Sequence, residues 1–142
     1  MRRGMSAAAG SKRVMIIDDA AMMRIVLTNV LKGAPGLQVV ATAENGEKAL
    51  AQLKDANPDV IFVDIEMPEM DGLTFLKHAR LKTRAKIIVL SSVAGTGSSK
   101  AIEARRLGAD AVLQKPSGSV SFDLAEKSGD EILKTVRRLT AA

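Results

Sequence analysis

Five polar residues stand at or just past the ends of short, largely apolar runs in this 142-residue sequence. Asp18 and Asp19 follow VMII, Asp64 follows VIFV, Ser91 follows IIVL, and Lys115 follows AVLQ. A carboxylate placed against a dry run must be paired, metal-bound or exposed at an edge, because burying it alone is prohibitively costly. Three carboxylates brought together repel one another unless one holds a proton or a cation sits among them. Oxygen donors with no His or Cys nearby favour a hard ion, Mg²⁺ above all. An Asp carboxylate can also attack phosphorus, giving an aspartyl-phosphate. A lysine ammonium and a serine hydroxyl are both suited to phosphoryl oxygens.

These residues can meet only if the elements that carry them line up. Apolar runs predict strands at Val14–Ile17, Leu37–Ala41, Val60–Asp64, Lys86–Leu90 and Ala111–Gln114. Helical periodicity fills the gaps at Met22–Lys32, Lys48–Asp55, Leu73–Arg80 and Lys100–Leu107, the last closed by Gly108 as a helix-ending residue. A fifth helix is expected to start near Ser128, where Ser128 and Glu131 stand at capping-box spacing, with Ile132, Leu133, Val136 and Leu139 on one face. The preceding segment, KPSGSVSFD, reads as a loop. Strict alternation with apolar strands predicts an α/β fold: a flavodoxin-like, doubly wound, five-stranded parallel sheet of order 2-1-3-4-5 with helices on both faces. In that order strands 1 and 3 are neighbours, and the crevice opens at their carboxyl ends. Asp18, Asp19, Asp64, Ser91 and Lys115 would then share one edge.

Composition narrows the function classes. There is no cysteine, which removes disulfides and thiolate metal sites. No apolar segment approaches the length of a membrane span, so no membrane partner is expected. Residues 1–12 lack the apolar core of a secretory signal and read as a disordered tail. The net charge of +5 invites a nucleic-acid reading, but the basic residues are dispersed and aromatics amount to 2%. A solvated surface is the expectation, with no direct nucleic-acid binding. A glycine-rich nucleotide loop is absent from the turn Asp18-Asp19-Ala20-Ala21. His78, the one histidine, reads as a surface residue.

Each motif alone has a plainer explanation. Asp-Asp after a strand is often a helix cap with a first-turn acid, Ser a turn cap, and Lys-Pro a loop. Their joint fall on successive strand ends argues for a site.

With the motifs VMIIDD, VIFVDIEMPEMDG, IIVLSS and GADAVLQKP, the chain resembles the response-regulator receiver domains of two-component signalling over residues 13–140. That resemblance implies a phosphorylation-dependent switch that takes a phosphoryl group from a phosphohistidine on a sensor histidine kinase or a histidine phosphotransfer protein. It implies Asp64 as phosphoacceptor and Mg²⁺ held by Asp18, Asp19, Asp64 and the backbone carbonyl of Glu66. It further implies catalytic roles for Ser91 and Lys115, a downstream protein partner, cytoplasmic location and a cis Lys115–Pro116 bond. The stretches SSVAGTGSSKAIEARRLGAD and KPSGSVSFDLAEKS are most similar to the receiver half of chemotaxis methylesterases. No G-x-S-x-G occurs, so demethylation by this chain is not expected, and it reads as a stand-alone or excised receiver. Val112 stands where many receivers carry an aromatic. The competing readings are a pseudo-receiver that serves as a docking module and a haloacid-dehalogenase-like phosphohydrolase. The latter would put its nucleophile on the first strand, with a second Asp two residues later.

Overall fold

A computed structural model describes residues 11–67, 70–91, 99–115 and 122–141, with side chains from residue 129 onward in the last group. Among the described residues, five strands alternate with five helices: β1 Lys12–Ile17, α1 Ala21–Lys32, β2 Leu37–Ala43, α2 Gly46–Ala56, β3 Val60–Asp64, α3 Gly72–Arg80, β4 Lys86–Ser91, α4 Ser99–Arg106, β5 Ala111–Gln114 and α5 Phe122–Thr140. All strand pairs are parallel, and the sheet order is β2-β1-β3-β4-β5, as the alternation predicts. No helix among the described residues is long and apolar enough to cross a membrane.

The two-residue period of a strand sends alternate side chains to opposite faces. Met15, Ile17, Ile61, Val63, Ile87, Val89 and Val112 pack with α2, α3 and α4 through Ala49, Leu53, Phe75, Leu76, Ala79, Ala101 and Ala104. Val14, Ile16, Val60, Phe62, Ile88, Leu90 and Leu113 pack with α1 and α5 through Leu27, Leu31, Ile132 and Val136. Helices thus cover both faces, and β3, in the middle, is buried at all five positions. Covering both faces is what permits a strand with no polar alternation to exist in water.

Local chemistry sets most of the helix ends. The Asn45 side chain accepts from the Lys48 N–H and caps α2, and the Asp71 side chain accepts from the Thr74 N–H and caps α3. α4 closes with Gly108 at φ +110°, where Gly108 N–H reaches Arg105 O and Ala109 N–H reaches Ala104 O. The start of α5 departs from expectation. It begins at Phe122, so Ser128–Glu131 lies inside the helix rather than at its cap. Gly129 faces Val30 of α1 across a gap that a Cβ would fill at ordinary contact distance, 3.6 Å. Packing on α1 overrides the helix-breaking preference of Ser-Gly, which amounts to about 1 kcal/mol for the glycine. The Lys115–Pro116 bond and residues 1–10 lie outside the described residues.

Gly108 is a position where a side chain is poorly tolerated. Its φ is in the region reserved for glycine, and a Cβ would sit 2.6 Å from Arg80 Cδ. Gly108→Ala is expected to destabilise the fold by about 1–3 kcal/mol, read as a lower urea midpoint at unchanged slope.

Candidate functional site at the carboxyl edge of the sheet

Parallel register places the site. Ile17 pairs with Val63, so Asp18 leaves β1 beside Asp64 at the end of β3. Asp64 pairs with Leu90, and Ser91 pairs with Gln114, the residue before Lys115. Asp18, Asp64 and Ser91 are buried, the two acids at 1% exposure each. Asp19 and Glu66 are exposed. The sequence places Asp64 at the rim; the structure draws it inside, where its charge cannot be left to water.

Backbone groups fix the carboxylates. Asp18 Oδ1 accepts from Ala20 N–H at 2.9 Å, and Asp64 Oδ1 accepts from Glu66 N–H at 2.9 Å. The second oxygens are aligned with no hydrogen-bond donor among the described residues. What faces them is the Lys115 ammonium, 2.9 Å from Asp64 Oδ2 and 3.4 Å from Asp18 Oδ2. Lys115 is itself positioned by its N–H, which donates to Ser91 O at 2.9 Å.

Desolvation dominates the protonation equilibria. Burial pushes Asp18 above the ordinary carboxylate value, although the Ala20 N–H and the Lys115 ammonium oppose it. Burial pushes Asp64 up likewise, against Lys115 and the Glu66 N–H, and the nearby Asp18 charge adds to the rise. For Lys115, burial alone favours the neutral amine, but the Asp64 and Asp18 carboxylates reverse this and hold it above the usual lysine value.

One ammonium therefore serves two buried acids, with a third acid at their side. Carboxylate oxygens of Asp18, Asp19 and Asp64 lie within 4.8 Å of one another. Unaligned buried oxygens in an oxygen-only donor set fit a hard divalent cation such as Mg²⁺.

The structure brings together Asp18, Asp19, Asp64 and Lys115, with Ser91 on the adjoining strand end. The plainer reading of Asp18-Asp19 as a cap does not hold: the N-cap of α1 is Ala20, without a side-chain cap, and its first turn has no acid. Asp64 ends the third strand and is followed by Ile65 and Glu66, unlike the pattern of a haloacid-dehalogenase nucleophile. His78 is exposed on α3, as expected. Val112 is buried on the α2–α3–α4 face.

Two supporting residues escape a sequence reading. Arg24 Nη1 donates to the Asp18 carbonyl at 2.6 Å and pins the acidic turn to α1. Gly72 lets the start of α3 lie against the Asp64 backbone, where a Cβ would come 2.5 Å from Asp64 O. The Asp-Gly pair preceding the helix is the only sequence trace of that approach.

Comparison with known proteins agrees with this geometry. Residues 14–138 match the response regulator receiver domain family. The protein-glutamate methylesterase/protein-glutamine glutaminase 1 of Oleidesulfovibrio alaskensis is 40% identical over 128 residues, covering 89% of this chain and 35% of that protein. The chain thus spans about a third of the length of the curated relatives it matches. The response regulator domain of Thermotoga maritima CheB superposes with a TM-score of 0.83 at 35% identity, covering 93% of this chain and 98% of that one. A chain in the complex of the P1 domain of CheA3 with CheY6 from R. sphaeroides gives 0.79 at 54% identity, covering 94% and 100%.

The raised carboxylates give a signed pH dependence. An acid whose folded pKa exceeds its unfolded value costs no stability below the unfolded pKa and its full penalty above the folded one. Asp64→Asn is therefore expected to raise the thermal midpoint of the metal-free protein at neutral pH, with the gain shrinking as pH falls through the carboxylate range. Mg²⁺ affinity, followed by titration, should begin to fall at a higher pH than ordinary carboxylates would dictate, because protons compete at Asp18 and Asp64.

Proposed function

The chain belongs to the response regulator receiver domain family and is a receiver of chemotaxis type, and from that premise we propose that it is a phosphorylation-dependent switch whose phosphoacceptor is Asp64. The observation that carries this reading is the asymmetry of the Asp64 carboxylate. Oδ1 is held by the Glu66 N–H, whereas Oδ2 has no aligned donor and faces Lys115 and the neighbouring acids.

The donor is a phosphohistidine on a sensor histidine kinase or histidine phosphotransfer protein. Asp64 Oδ2 attacks phosphorus, the P–N bond breaks, and the imidazole leaves with a proton from solvent. Asp18, Asp19, Asp64 and the Glu66 carbonyl would hold Mg²⁺, which when bound neutralises charge on the phosphoryl oxygens. Lys115 exchanges a carboxylate partner for a phosphoryl oxygen and remains charged, because anionic oxygens face it before the transfer and after it. Ser91, buried at the end of β4, donates its hydroxyl to another oxygen.

Acyl phosphate formation replaces the Asp64 carboxylate charge with a phosphoryl group of about −2, a net gain of about one negative charge at a largely buried position. A swing from mostly off to mostly on requires about 5.5 kcal/mol of differential interaction. The Lys115 ammonium, the Ser91 hydroxyl and the Ser91 O···H–N Lys115 link are the elements that can supply it. The change is passed to a protein-binding surface; the segment that follows Ser91, residues 92–98, lies outside the described residues.

The histidine donor docks on α1. Met22 is 68% exposed and Ile25 54% exposed on the helix that leaves the Asp18-Asp19 turn. The matched complex in which a P1 domain binds CheY6 supports a donor of that kind. A downstream protein partner uses α4, where Ile102 is exposed among Lys100, Arg105 and Arg106. The receiver is read at residues 13–140, although β1 already begins at Lys12, inside the stretch 1–12 read from sequence as a tail; it is stand-alone or part of a longer regulator and acts in the cytoplasm. Methylesterase activity belongs to a separate domain of the longer relatives.

Incubation with acetyl phosphate and Mg²⁺ should give one phosphoryl adduct by intact mass, lost on chelation and absent from Asp64→Asn. No adduct in the unmodified protein would instead make the fold a constitutive docking module. Ile25→Glu should slow transfer from a histidine phosphotransfer donor by about tenfold, the effect of losing about 1.4 kcal/mol of interface contact, while the acetyl phosphate reaction is unchanged.

A further inference from the structure

The parallel topology separates charge between the two ends of the sheet. The carboxyl ends of β1 and β3 carry the acids. The helix C-termini gather at the other end, and each helix has a basic residue in its last turn, Lys32, Lys54, Arg80, Arg106 and Arg138 among them. Part of this charge needs no ligand, because a cation beside a helix C-terminus is stabilised by its free carbonyls. Arg13 is used in this way: Nε and Nη2 donate to Ala56 O at 3.0 and 2.8 Å, closing α2. Arg80 reaches the carbonyls of Ala85 and Gly108 and lies 3.8 Å from Asp110.

Beside these two arginines is a cleft of about 340 Å³, within the range of small-ligand sites, lined in part by Lys12, Asn57, Asp59, Thr83, Arg84 and Lys86. Lys12, Arg84 and Lys86 are not engaged as Arg13 and Arg80 are. Among the described residues, none of these three side chains makes a hydrogen bond or an ion pair. They enter from different places: the start of β1, the connection before β4, and the start of β4. Their backbones are held in register, with Lys12 N–H on Gly36 O and Lys86 N–H on Asp59 O. The one carboxylate in the lining, Asp59, is committed through Oδ2 to the Arg13 N–H at 2.8 Å.

We propose that this cleft, at the end of the sheet opposite the carboxylate cluster, binds a small diphosphate-bearing anion through Lys12, Arg84 and Lys86. Three cations against one acid leave an excess that suits a dianion or higher. A guanidinium fork and two point ammoniums approaching from separate elements suit a group that presents oxygens in several directions, as a diphosphate does and a single carboxylate does not. The site is independent of the phosphoacceptor reading and would let the receiver sense a second, soluble signal.

The test is titration of the full chain with pyrophosphate in magnesium-free buffer, followed by calorimetry and backbone amide shifts. Saturable one-to-one binding is expected, with shifts at Lys12, residues 57–59 and residues 83–86. The double variant Lys12→Gln/Lys86→Gln should weaken it by about tenfold or more, as loss of charge-assisted bonds requires. Lys48→Gln/Lys100→Gln, which removes equal charge from the first turns of α2 and α4 at the other end of the sheet, should leave the affinity within about twofold, and Asp64→Asn should not change it. Shifts confined to Asp18, Asp64 and Lys115, or equal weakening by the two double variants, would overturn the proposal. Binding of tricarballylate as tightly as pyrophosphate would overturn the phosphate assignment.

Discussion

Two carboxylates buried against a single ammonium are the constraint on which the rest of this structure turns. Asp18 and Asp64 are each 1% exposed, and Lys115 stands within ion-pair distance of both. An isolated charge in such a place would be intolerable, and one ammonium does not fully offset two. The fold accepts this arrangement because it is distributed. β1 and β3 supply an acid each, β5 supplies the lysine, and the helix-covered strands between them are dry enough to be rigid. The sheet order is what makes it possible: were β1 and β3 not neighbours, the carboxylates would be too far apart to share a counter-ion. Electrostatic tension is thus built into the resting state, and a cation or a change of charge at Asp64 acts on a site already poised.

That tension also explains why backbone amides hold one oxygen of each acid. The Ala20 and Glu66 N–H groups fix Oδ1 on Asp18 and Asp64 and leave Oδ2 turned toward the shared space. Two further contacts keep this frame from relaxing. Arg24 ties the Asp18 carbonyl to α1, and Gly72 allows α3 to press on the Asp64 backbone. Neither residue carries the proposed chemistry, yet each limits the routes by which the two acids could separate and lower their mutual repulsion.

Most of this was legible from the order of residue types. The all-apolar run ending at Asp64 gave β3 to the residue, because a strand buried on both faces has no competing pattern. Edge strand β2 runs two residues past its expected end at Ala41, to Ala43. It is only half-buried, so its pattern is weak, and the register slips between Val14 and Met15 of β1. The start of α5 was hidden for a different reason. Ser128-Gly129 has the local chemistry of a helix start, and only the packing of Gly129 against Val30 reveals that the helix passes through it. Arg24 was invisible as a support and Gly72 left only the Asp71-Gly72 pair as a trace, since their partners are backbone atoms.

Val112 then bears on how a signal could leave the site. Its side chain sits in the core on the strand neighbouring Val89, in the cluster that also holds Ala101 and Ala104, with no ring to swing between an inner and an outer position. A branched aliphatic side chain in a close-packed layer does not offer two well-separated, equally filled states. Val112 therefore offers no rotamer switch, and in the proposed switch the main chain that joins Ser91 and Lys115 is the available route. The bond from Lys115 N–H to Ser91 O joins the ends of β4 and β5 at the point where both proposed phosphoryl-contacting residues reside. A pull on either residue is transmitted to the other strand end without an intermediate side chain. Under the proposed function, coupling by this route is a joint displacement of two linked strand ends, resisted by the packing of α4 and α5 on the sheet.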